Sequence, residues 1–328
     1  MKPERMTGMS RKDRVLRAIR HQPVDRVPMG ELCIDDAVVG SFLGIEKPSH
    51  RHRQAFAERI GLDLVCLATQ YAESSLSTRL PDPDQAGWPD LEGWARETDF
   101  FPFVLVEGAF AWGVRRWGFE GFMLKVVRDD PLIQTLNLEI EILNTRLARS
   151  SAEKGAAGVV LADDIAYQNG LLISPEMLRA AFFPAMARQV NMFKALGLEV
   201  FFHSDGNLVQ ILDDIVDAGF DGLQCIEEAA GMDLLHLKRL YGHRLCLWGN
   251  LDPVFLIAPR AQGVLEAKVR EVLCAGSPGS GFIFGTSSGL FQGVRAELVG
   301  RAYRLAREAS ILSEDRPHRE AQKNNAPH

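Results

Sequence analysis

The stretch Glu199-Val-Phe-Phe-His203-Ser-Asp205-Gly-Asn207 joins a short apolar run to a histidine and a carboxylate two residues apart. An apolar run that does not alternate with polar residues is typical of a parallel strand buried on both faces. On an extended backbone, His203 and Asp205 leave the same face of the strand. Because α/β proteins bind ligands at the carboxyl ends of parallel strands, we expect this pair to ligate a metal or to move a proton.

Seven further β-rich runs punctuate the chain, and helical patterns separate most of them. The eight runs span residues 26–29, 62–67, 103–106, 158–162, 199–203, 222–226, 245–249 and 281–284. One helical pattern spans residues 175–196, with Ser174 as its N-cap and Pro175 in its first turn, and another spans residues 207–218. Eight such runs favour an α/β fold, a closed (β/α)8 TIM barrel, over an open sheet.

The barrel is expected to form a single domain over residues 1–312, since 328 residues with 46% hydrophobic content can bury one large core. Residues 73–98 are polar and rich in proline and glycine, and they are interpreted as an irregular insertion or lid in the N-terminal third. Residues 313–328 contain almost no large apolar side chain, which is typical of a disordered tail.

Charge and cysteine content exclude several classes of protein. A net charge of -6 and an isoelectric point near 5.8 argue against a nucleic-acid partner. No amino-terminal stretch resembles a secretion signal, and no uncharged apolar run reaches the roughly 18 residues of a membrane span. The cysteines are widely separated without a CxxC pair, which predicts a reducing, cytoplasmic location; they are Cys33, Cys66, Cys225, Cys246 and Cys274.

Polar side chains follow five of the predicted strands. They are Asp163-Asp164, His203-Ser-Asp205, Glu227-Glu228, Asn250-Leu-Asp252 and Thr286-Ser287-Ser288. For each acidic or hydroxyl residue, the alternative is a role as the N-cap of the next helix. For His203, considered by itself, the alternative is a hydrogen-bonded histidine in the core. Caps do not require a histidine or a doubled carboxylate, however, so the convergence of these ends favours a site at the barrel mouth.

The chemistry of such a site follows from its residue types. Zinc binds imidazole and carboxylate, and a catalytic zinc keeps one position open for substrate. Carboxylates crowded into one pocket raise the pKa of at least one of them, which suits an acid or base near neutrality, unless a bound cation keeps them ionised. Tyr167 and Gln168 add a phenol and an amide to the pocket wall, or else pack on its rim.

Several ordered motifs resemble the uroporphyrinogen decarboxylase superfamily over residues 10–309. The motifs are Ser10-Arg-Lys-Asp-Arg-Val-Leu-Arg-Ala-Ile-Arg-His21, Pro23-Val-Asp-Arg-Val-Pro28, Gly170-Leu-Leu-Ile-Ser-Pro-Glu176, His203-Ser-Asp-Gly-Asn207, Ala230-Gly-Met-Asp233 and Gly249-Asn-Leu-Asp252. The resemblance implies a (β/α)8 barrel with its site at the carboxyl-terminal mouth. It also implies one of two activities: decarboxylation without a cofactor, or methyl transfer to or from a corrinoid protein, often with zinc.

Two departures from the superfamily patterns bear on that choice. The decarboxylases carry an arginine-rich segment near the amino terminus, whereas residues 29–36 here read Met-Gly-Glu-Leu-Cys-Ile-Asp-Asp, which would repel a polyacidic substrate. The methyltransferases carry His-x-Cys-Gly and a late cysteine as zinc ligands. His203 matches, but Asp205 stands at the first cysteine position, and the Ser287-Ser288 region lacks the second.

The resemblance therefore implies a corrinoid-dependent methyltransferase of the O-demethylase type, acting on a methyl ether or a similar small donor. A decarboxylase and a non-catalytic binding barrel are the alternatives, and a homodimer is left open. The corrinoid would arrive on a separate protein, and zinc is a candidate cofactor. We expect catalysis by His203, Asp205, Asp164 and Tyr167, metal binding by His203, Asp205 and Glu227, and substrate binding by Asp163, Gln168, Asn250, Ser287 and Ser288.

Overall fold

The structure is a computed structural model and describes residues 8–71 and 80–312. Its centre is a curled sheet of seven parallel strands. In order across the sheet, these are β1 (Leu64–Ala68), β2 (Phe101–Glu107), β3 (Gly158–Ala162), β6 (Glu199–His203), β7 (Gly222–Gln224), β8 (Cys246–Leu251) and β9 (Phe282–Thr286). Between β3 and β6, β4 (Ala166–Tyr167) and β5 (Gly170–Leu171) form a separate antiparallel hairpin.

Residues 28–30 close the sheet into a barrel by joining its last strand to its first. The amide of Phe284 donates to the carbonyl of Pro28 at 2.9 Å, and the amide of Gly30 donates to the carbonyl of Phe284 at 2.9 Å. On the other side, the amide of Asp63 donates to the carbonyl of Met29 at 2.7 Å. The predicted TIM-barrel fold is confirmed, with a bridging segment in place of the strand predicted at residues 26–29.

Helices surround the barrel and cover its amino-terminal end. They are α1 (Arg11–Ile19), α2 (Asp36–Leu43), α3 (His50–Ile60), α4 (Leu91–Glu97), α5 (Ala109–Val127), α6 (Pro131–Glu153), α7 (Pro175–Ala181), α8 (Phe183–Ala195), α9 (Leu212–Asp217), α10 (Leu234–Tyr241), α11 (Val254–Ile257), α12 (Val264–Gly276) and α13 (Ala296–Leu312). Within the described part of the chain, no helix combines the length and apolar character that crossing a membrane requires.

Buried side chains form two apolar clusters on opposite faces of the strands. Phe103, Phe201 and Trp248 pack together inside the barrel, and α1 adds Val15 and Ile19 to this cluster. A larger cluster fills the space between the strands and the outer helices. Because successive strand residues face opposite sides, the residues two positions after Phe201 and Gly222 also face inward, at the mouth of the barrel.

The helix predicted at residues 175–196 is two helices, α7 and α8, so the continuous prediction was wrong. Phe182 lies between them at φ −119° and ψ −45°. Pro184 lies in the first turn of α8, where its missing N–H needs no partner, whereas inside a continuous helix it would remove a hydrogen bond and clash with the preceding turn. The predicted cap is confirmed, because the side chain of Ser174 accepts from the amide of Met177 at 3.3 Å.

Other predicted boundaries also shift. The strand predicted at residues 222–226 ends at Gln224, because Cys225 and Ile226 have positive φ values of 102° and 57°. The helix predicted at residues 207–218 is a 3₁₀ turn followed by α9. In the predicted insertion at residues 73–98, the described part contains a 3₁₀ turn and α4. Residues 73–79 and the predicted tail at 313–328 lie outside the described residues.

Residues of the two amino-terminal motifs, at positions 10–28, form a buried ion-pair network with Asp63 at the amino-terminal end of the barrel. Asp63, fully buried just before β1, pairs with Arg14 at 2.6 Å and with Arg26 at 2.7 Å. Arg14 also pairs with Asp25 at 2.5 Å. Because a buried charge is costly unless it is paired and hydrogen-bonded, these motif residues serve the fold in this chain rather than the mouth.

Candidate active site

Polar side chains in or just after the neighbouring strands β3, β6 and β7 lie side by side at the carboxyl ends of these strands. In register, Ala162 lies beside His203, and His203 beside Gln224. The ring of His203 is largely buried, and its Nδ1 lies 2.5 Å from Oε1 of Gln224. Its Nε2 lies 3.8 Å from a carboxylate oxygen of Asp164. The imidazole thus has one nitrogen on the barrel wall and the other beside the exposed carboxylate.

The mouth cluster consists of Asp164, His203, Asp205, Cys225 and Glu227. Ligand atoms of Asp164, His203 and Asp205 all lie within 4.8 Å of one another, and so do those of Asp205, Cys225 and Glu227. Asp205 belongs to both groups and links them. The predicted metal ligands His203, Asp205 and Glu227 therefore lie in one cluster, although Glu227 is grouped with the cysteine rather than with the histidine.

Two backbone contacts hold the acids of the mouth cluster in place. The amide of Asp205 donates to the side chain of Asp164 at 3.1 Å, and the amide of Gly206 donates to the side chain of Glu227 at 2.8 Å. Gly206 has a φ of 87°, and a Cβ atom there would lie 2.5 Å from the amide nitrogen of Tyr167. Glycine is therefore required at this turn, since it brings the β6 loop against the β4–β5 hairpin.

Cys225 belongs to the mouth cluster, although the sequence predicts a buried strand through this position. Its thiol donates to the Asp205 carboxylate at 3.2 Å. Burial, followed by the neighbouring carboxylates of Asp205 and Glu227, raises the pKa of Cys225 well above its ordinary value. The turn to positive φ immediately after Gln224 directs the chain out of the strand. No local sequence signal marks that turn.

Asp163 and Asp164 are adjacent in sequence but lie in opposite environments. Asp163 is 1% exposed, and its carboxylate accepts from the amides of Phe110 at 3.1 Å and Ala111 at 2.7 Å in the first turn of α5. Burial raises the pKa of Asp163 to about 7 despite these two donors. A Cβ atom at Gly108 would lie 2.2 Å from the Asp163 carboxylate, so this loop is closely packed. Asp163 thus caps α5, and Asp164 faces the mouth.

Tyr167 and Gln168 lie on the β4–β5 hairpin beside the mouth cluster. Tyr167 is 49% exposed, and its carbonyl accepts from the amide of Asn207 at 3.0 Å. The side-chain amide of Gln168 donates to the carbonyl of Ala229 at 3.4 Å. The hairpin therefore covers the loops that follow β6 and β7, and its phenol is accessible.

Ser287 and Ser288 follow β9 on the far side of β7 and β8. The carbonyl of Ser287 accepts from Nε2 of Gln224 at 3.0 Å, and the carbonyl of Ser288 accepts from the thiol of Cys33 at 3.6 Å. Cys33 is exposed as a whole residue, but partial burial of its thiol, followed by the carboxylates of Glu31, Asp35 and Asp205, raises the pKa of Cys33 to about 11. No cysteine lies near Ser287 and Ser288 in the sequence, but the fold brings Cys33 there from the segment that follows the barrel-closing residues.

Asn250 lies in a different cavity, of about 320 Å³, between α10 and α12. Glu228 and Lys268 also line it, whereas none of the mouth-cluster residues is among the described residues that do. The structure therefore places Asn250 in the lining of this cavity, on β8. Glu228 forms an ion pair with Lys268, whereas the side chain of its neighbour Glu227 accepts from the amide of Gly206 at the mouth. The two adjacent glutamates therefore lie in different environments, as Asp163 and Asp164 do.

The closure cluster is a second polar group at this end of the barrel and consists of Glu31, Thr286 and Tyr303. Glu31 is 1% exposed and accepts from the amide of Thr286 at 3.0 Å, from its hydroxyl at 2.5 Å and from the hydroxyl of Tyr303. Burial raises the pKa of Glu31 to about 7. These bonds tie the segment after residues 28–30 to the end of β9.

The donor set of the mouth cluster fits a zinc ion. Zinc binds imidazole nitrogen, thiolate sulfur and carboxylate oxygen, and the two overlapping groups offer all three types of ligand. Asp205 belongs to both groups, so either group could supply the ligands together with Asp205. A cation there would also offset the crowding of three carboxylates around one buried thiol.

Comparison with known proteins agrees with this architecture. The uroporphyrinogen decarboxylase (URO-D) family profile matches residues 116–309, which is more than half of the chain. Methylcobamide:CoM methyltransferase MtaA of Methanosarcina barkeri is 28% identical over 160 residues, or 48% of this chain and 45% of that protein. Uroporphyrinogen decarboxylase of Pelobacter propionicus is 30% identical over 162 residues, or 49% and 43%.

The matched stretches thus span less than half the length of these two relatives. Among solved structures, a methyltransferase from Methanosarcina mazei superposes with a TM-score of 0.72 at 21% identity, covering 92% of this chain and 99% of that one. This likeness extends the shared fold over nearly the whole chain. Taken with the profile match, it leads to one conclusion: the chain belongs to the uroporphyrinogen decarboxylase family.

Proposed function

We propose that this protein is a methyltransferase that moves a methyl group from a small donor, of the methyl ether type, to a separate corrinoid protein. The observation that carries the proposal is the mouth cluster, in which an imidazole, three carboxylates and a thiol meet where TIM barrels bind substrates. The relatives named as methyltransferases support the reaction class, and the methyl ether donor is our own extension.

The charge around the mouth favours methyl transfer over decarboxylation of a polyacid. Glu31 and Asp36 do not supply the repulsion that the sequence predicts for residues 29–36, because Glu31 is buried in the closure cluster and Asp36 is paired with Arg53 through two hydrogen bonds of 2.8 Å. Arg115 of α5 is also paired, with Glu107 at the end of β2, through two hydrogen bonds of 2.7 Å. A substrate with many carboxylates would therefore meet the carboxylates of Asp164, Asp205 and Glu227 at the mouth.

In the proposed reaction, the reduced cobalt centre of the partner attacks the methyl carbon. The cobalt–carbon bond forms with the electron pair of cobalt, and the carbon–oxygen bond breaks with its pair left on oxygen. The alkoxide or phenoxide must then gain a proton to leave as an alcohol or phenol. General acids of this kind accelerate reactions by roughly 10²–10⁴-fold.

The residues of the mouth can perform this step at the leaving oxygen. The Nε2 side of His203 faces Asp164, so a proton or a positive charge at that atom lies close to a carboxylate that stabilises it. Asp205 stands between this nitrogen and the thiol of Cys225. The exposed phenol of Tyr167 is placed to orient the donor from the hairpin side.

Zinc is the candidate metal, held either by Asp164, His203 and Asp205 or by Asp205, Cys225 and Glu227. When bound, it would act as a Lewis acid on the oxygen of the donor. If the group that contains Cys225 supplied the ligands, its thiol would release its proton, because ligand cysteines bind as thiolates.

The test is a methyl-transfer assay with cob(I)alamin and a panel of aryl methyl ethers, with the demethylated product and methylcobalamin both quantified. His203→Ala and Asp205→Ala should each lower the rate by at least about 100-fold. Unchanged rates in both variants would reject the assigned roles. Product analysis with uroporphyrinogen tests the decarboxylase alternative, and absence of turnover in both assays together with absence of bound metal would favour a binding barrel.

A further inference from the structure

We propose that Gln224 is a positioning residue that fixes which nitrogen of His203 carries the proton. A neutral imidazole bears its hydrogen on either Nδ1 or Nε2, and only the other nitrogen can accept a proton or bind a cation. This inference rests on the proposed function, since it states how the imidazole of that site is prepared. Gln224 is fully buried in β7, and no sequence motif points to it.

The orientation of the Gln224 amide follows from its two partners. Its Nε2 donates to the carbonyl of Ser287 at 3.0 Å. A backbone carbonyl is an acceptor only, so the amide cannot be turned around without placing two oxygens against each other. The oxygen of the amide must therefore face the ring of His203, where it lies 2.5 Å from Nδ1.

The state of His203 follows in turn. An amide oxygen can only accept, so Nδ1 must carry a hydrogen that it donates to Gln224. In the neutral ring, the lone pair is then on Nε2, the nitrogen that lies 3.8 Å from the Asp164 carboxylate. Histidines that bind metals generally use their second ring N–H in this way, donating it to an oxygen behind them.

The carbonyl that orients Gln224 is itself firmly held. The amide of Ser287 donates to the carbonyl of Leu251 at 3.0 Å, and the amide of Gly289 donates to the hydroxyl of Thr286 at 2.8 Å. Thr286 is also bound to the buried carboxylate of Glu31. Thr286 of the closure cluster is followed in the chain by Ser287, which is hydrogen-bonded to Gln224, and Gln224 contacts His203. A continuous series of contacts therefore connects the closure cluster with His203.

The test uses the full-length protein with ¹⁵N-labelled histidine. Long-range ¹H–¹⁵N correlation spectra at about pH 8.5 report directly which ring nitrogen carries the hydrogen. His203→Asn identifies the signal. Wild type should show the Nδ1–H form, Gln224→Met should lose it, and Gln224→Glu should keep it, because a carboxylate still accepts from Nδ1. Gln189→Met, which alters another buried glutamine that binds Asn144, is the matched control.

Zinc affinity gives a second readout, measured by competition with a chromophoric chelator. Gln224→Met should raise the zinc dissociation constant by about 10–100-fold, and Gln189→Met should leave it unchanged. An Nε2–H signal in the wild type, or an unaltered Nδ1–H signal in folded Gln224→Met, would overturn the inference. The wild-type spectrum decides the matter even if a variant fails to fold. A wild-type protein with the expected tautomer but no methyl transfer would retain this inference and reject the proposed function.

Discussion

The mouth cluster and the closure cluster use similar residue types at the same end of the barrel for different purposes. In the closure cluster, both oxygens of Glu31 are bonded, and the residue is almost completely buried. In the mouth cluster, the side chain of Asp164 is 62% exposed, and carboxylates crowd a thiol and an imidazole. A buried carboxylate whose hydrogen-bond partners all come from the protein stabilises the fold. A carboxylate that is partly exposed can act on a ligand.

The largest effect should come from neutralising one acid of the mouth. We expect Asp205→Asn to lower methyl transfer by about 10²–10⁴-fold, because the side chain loses its charge beside His203. The free energy of unfolding should change by less than about 0.5 kcal/mol, since an amide oxygen still accepts from Cys225. The matched control is Asp217→Asn, an exposed acid paired with Arg244. A large loss of stability in urea denaturation would instead place Asp205 with the closure cluster.

Removing the acid of the closure cluster should do the reverse. We expect Glu31→Leu to lower the free energy of unfolding by about 3 kcal/mol, because the buried hydroxyls of Thr286 and Tyr303 lose their acceptor. Urea denaturation at neutral pH measures the change. Glu58→Leu, at an exposed position in α3, should have little effect and is the control. Equal stability of the two variants would show that the closure cluster does not hold the barrel together.

The closure cluster should also make stability depend on pH. Burial raises the pKa of Glu31 from 4.5 to about 7, so between these values the folded protein keeps a proton that the unfolded chain releases. The contribution of Glu31 to stability is therefore complete below about pH 4.5 and declines as pH rises to about 7, by at most about 1.4 kcal/mol per pH unit.

Comparison with Glu31→Gln isolates this contribution, because the amide does not titrate. The difference in unfolding free energy between wild type and variant should decrease from about pH 5 to pH 7 and remain level above that range. Urea denaturation at several pH values provides the measurement. A difference that is constant over the whole range would contradict the pKa assignment.

The smallest effect should come from the hydroxyl of Tyr303. Tyr303→Phe removes one donor to Glu31 and leaves the two bonds from Thr286 in place. We expect a loss of about 1 kcal/mol in the free energy of unfolding, without a change in methyl transfer. Tyr241→Phe on α10 is a suitable control, since this residue lies outside both clusters. A loss of activity in Tyr303→Phe would show that the two clusters are coupled.

The sequence by itself determined the barrel and the end of it at which these polar residues gather. Non-alternating apolar runs such as residues 158–162 and 199–203 specified parallel strands, and the polar residues after them marked the mouth. These features are local, because a strand that is buried on both faces is apolar along its length, whichever strands lie beside it. Even there, the break at Phe182 was missed, although Pro184 was a visible signal.

Only the tertiary structure decided which polar residues meet. Asp163 and Asp164 look equivalent in sequence, but the start of α5 captures the first and leaves the second at the mouth. Cys225 reaches Asp205 because the backbone turns to positive φ after Gln224, and Glu31 is buried by residues more than 250 positions away. Strand periodicity fixes the face of a side chain only within the strand, so contacts beyond its end depend on turns and on distant segments.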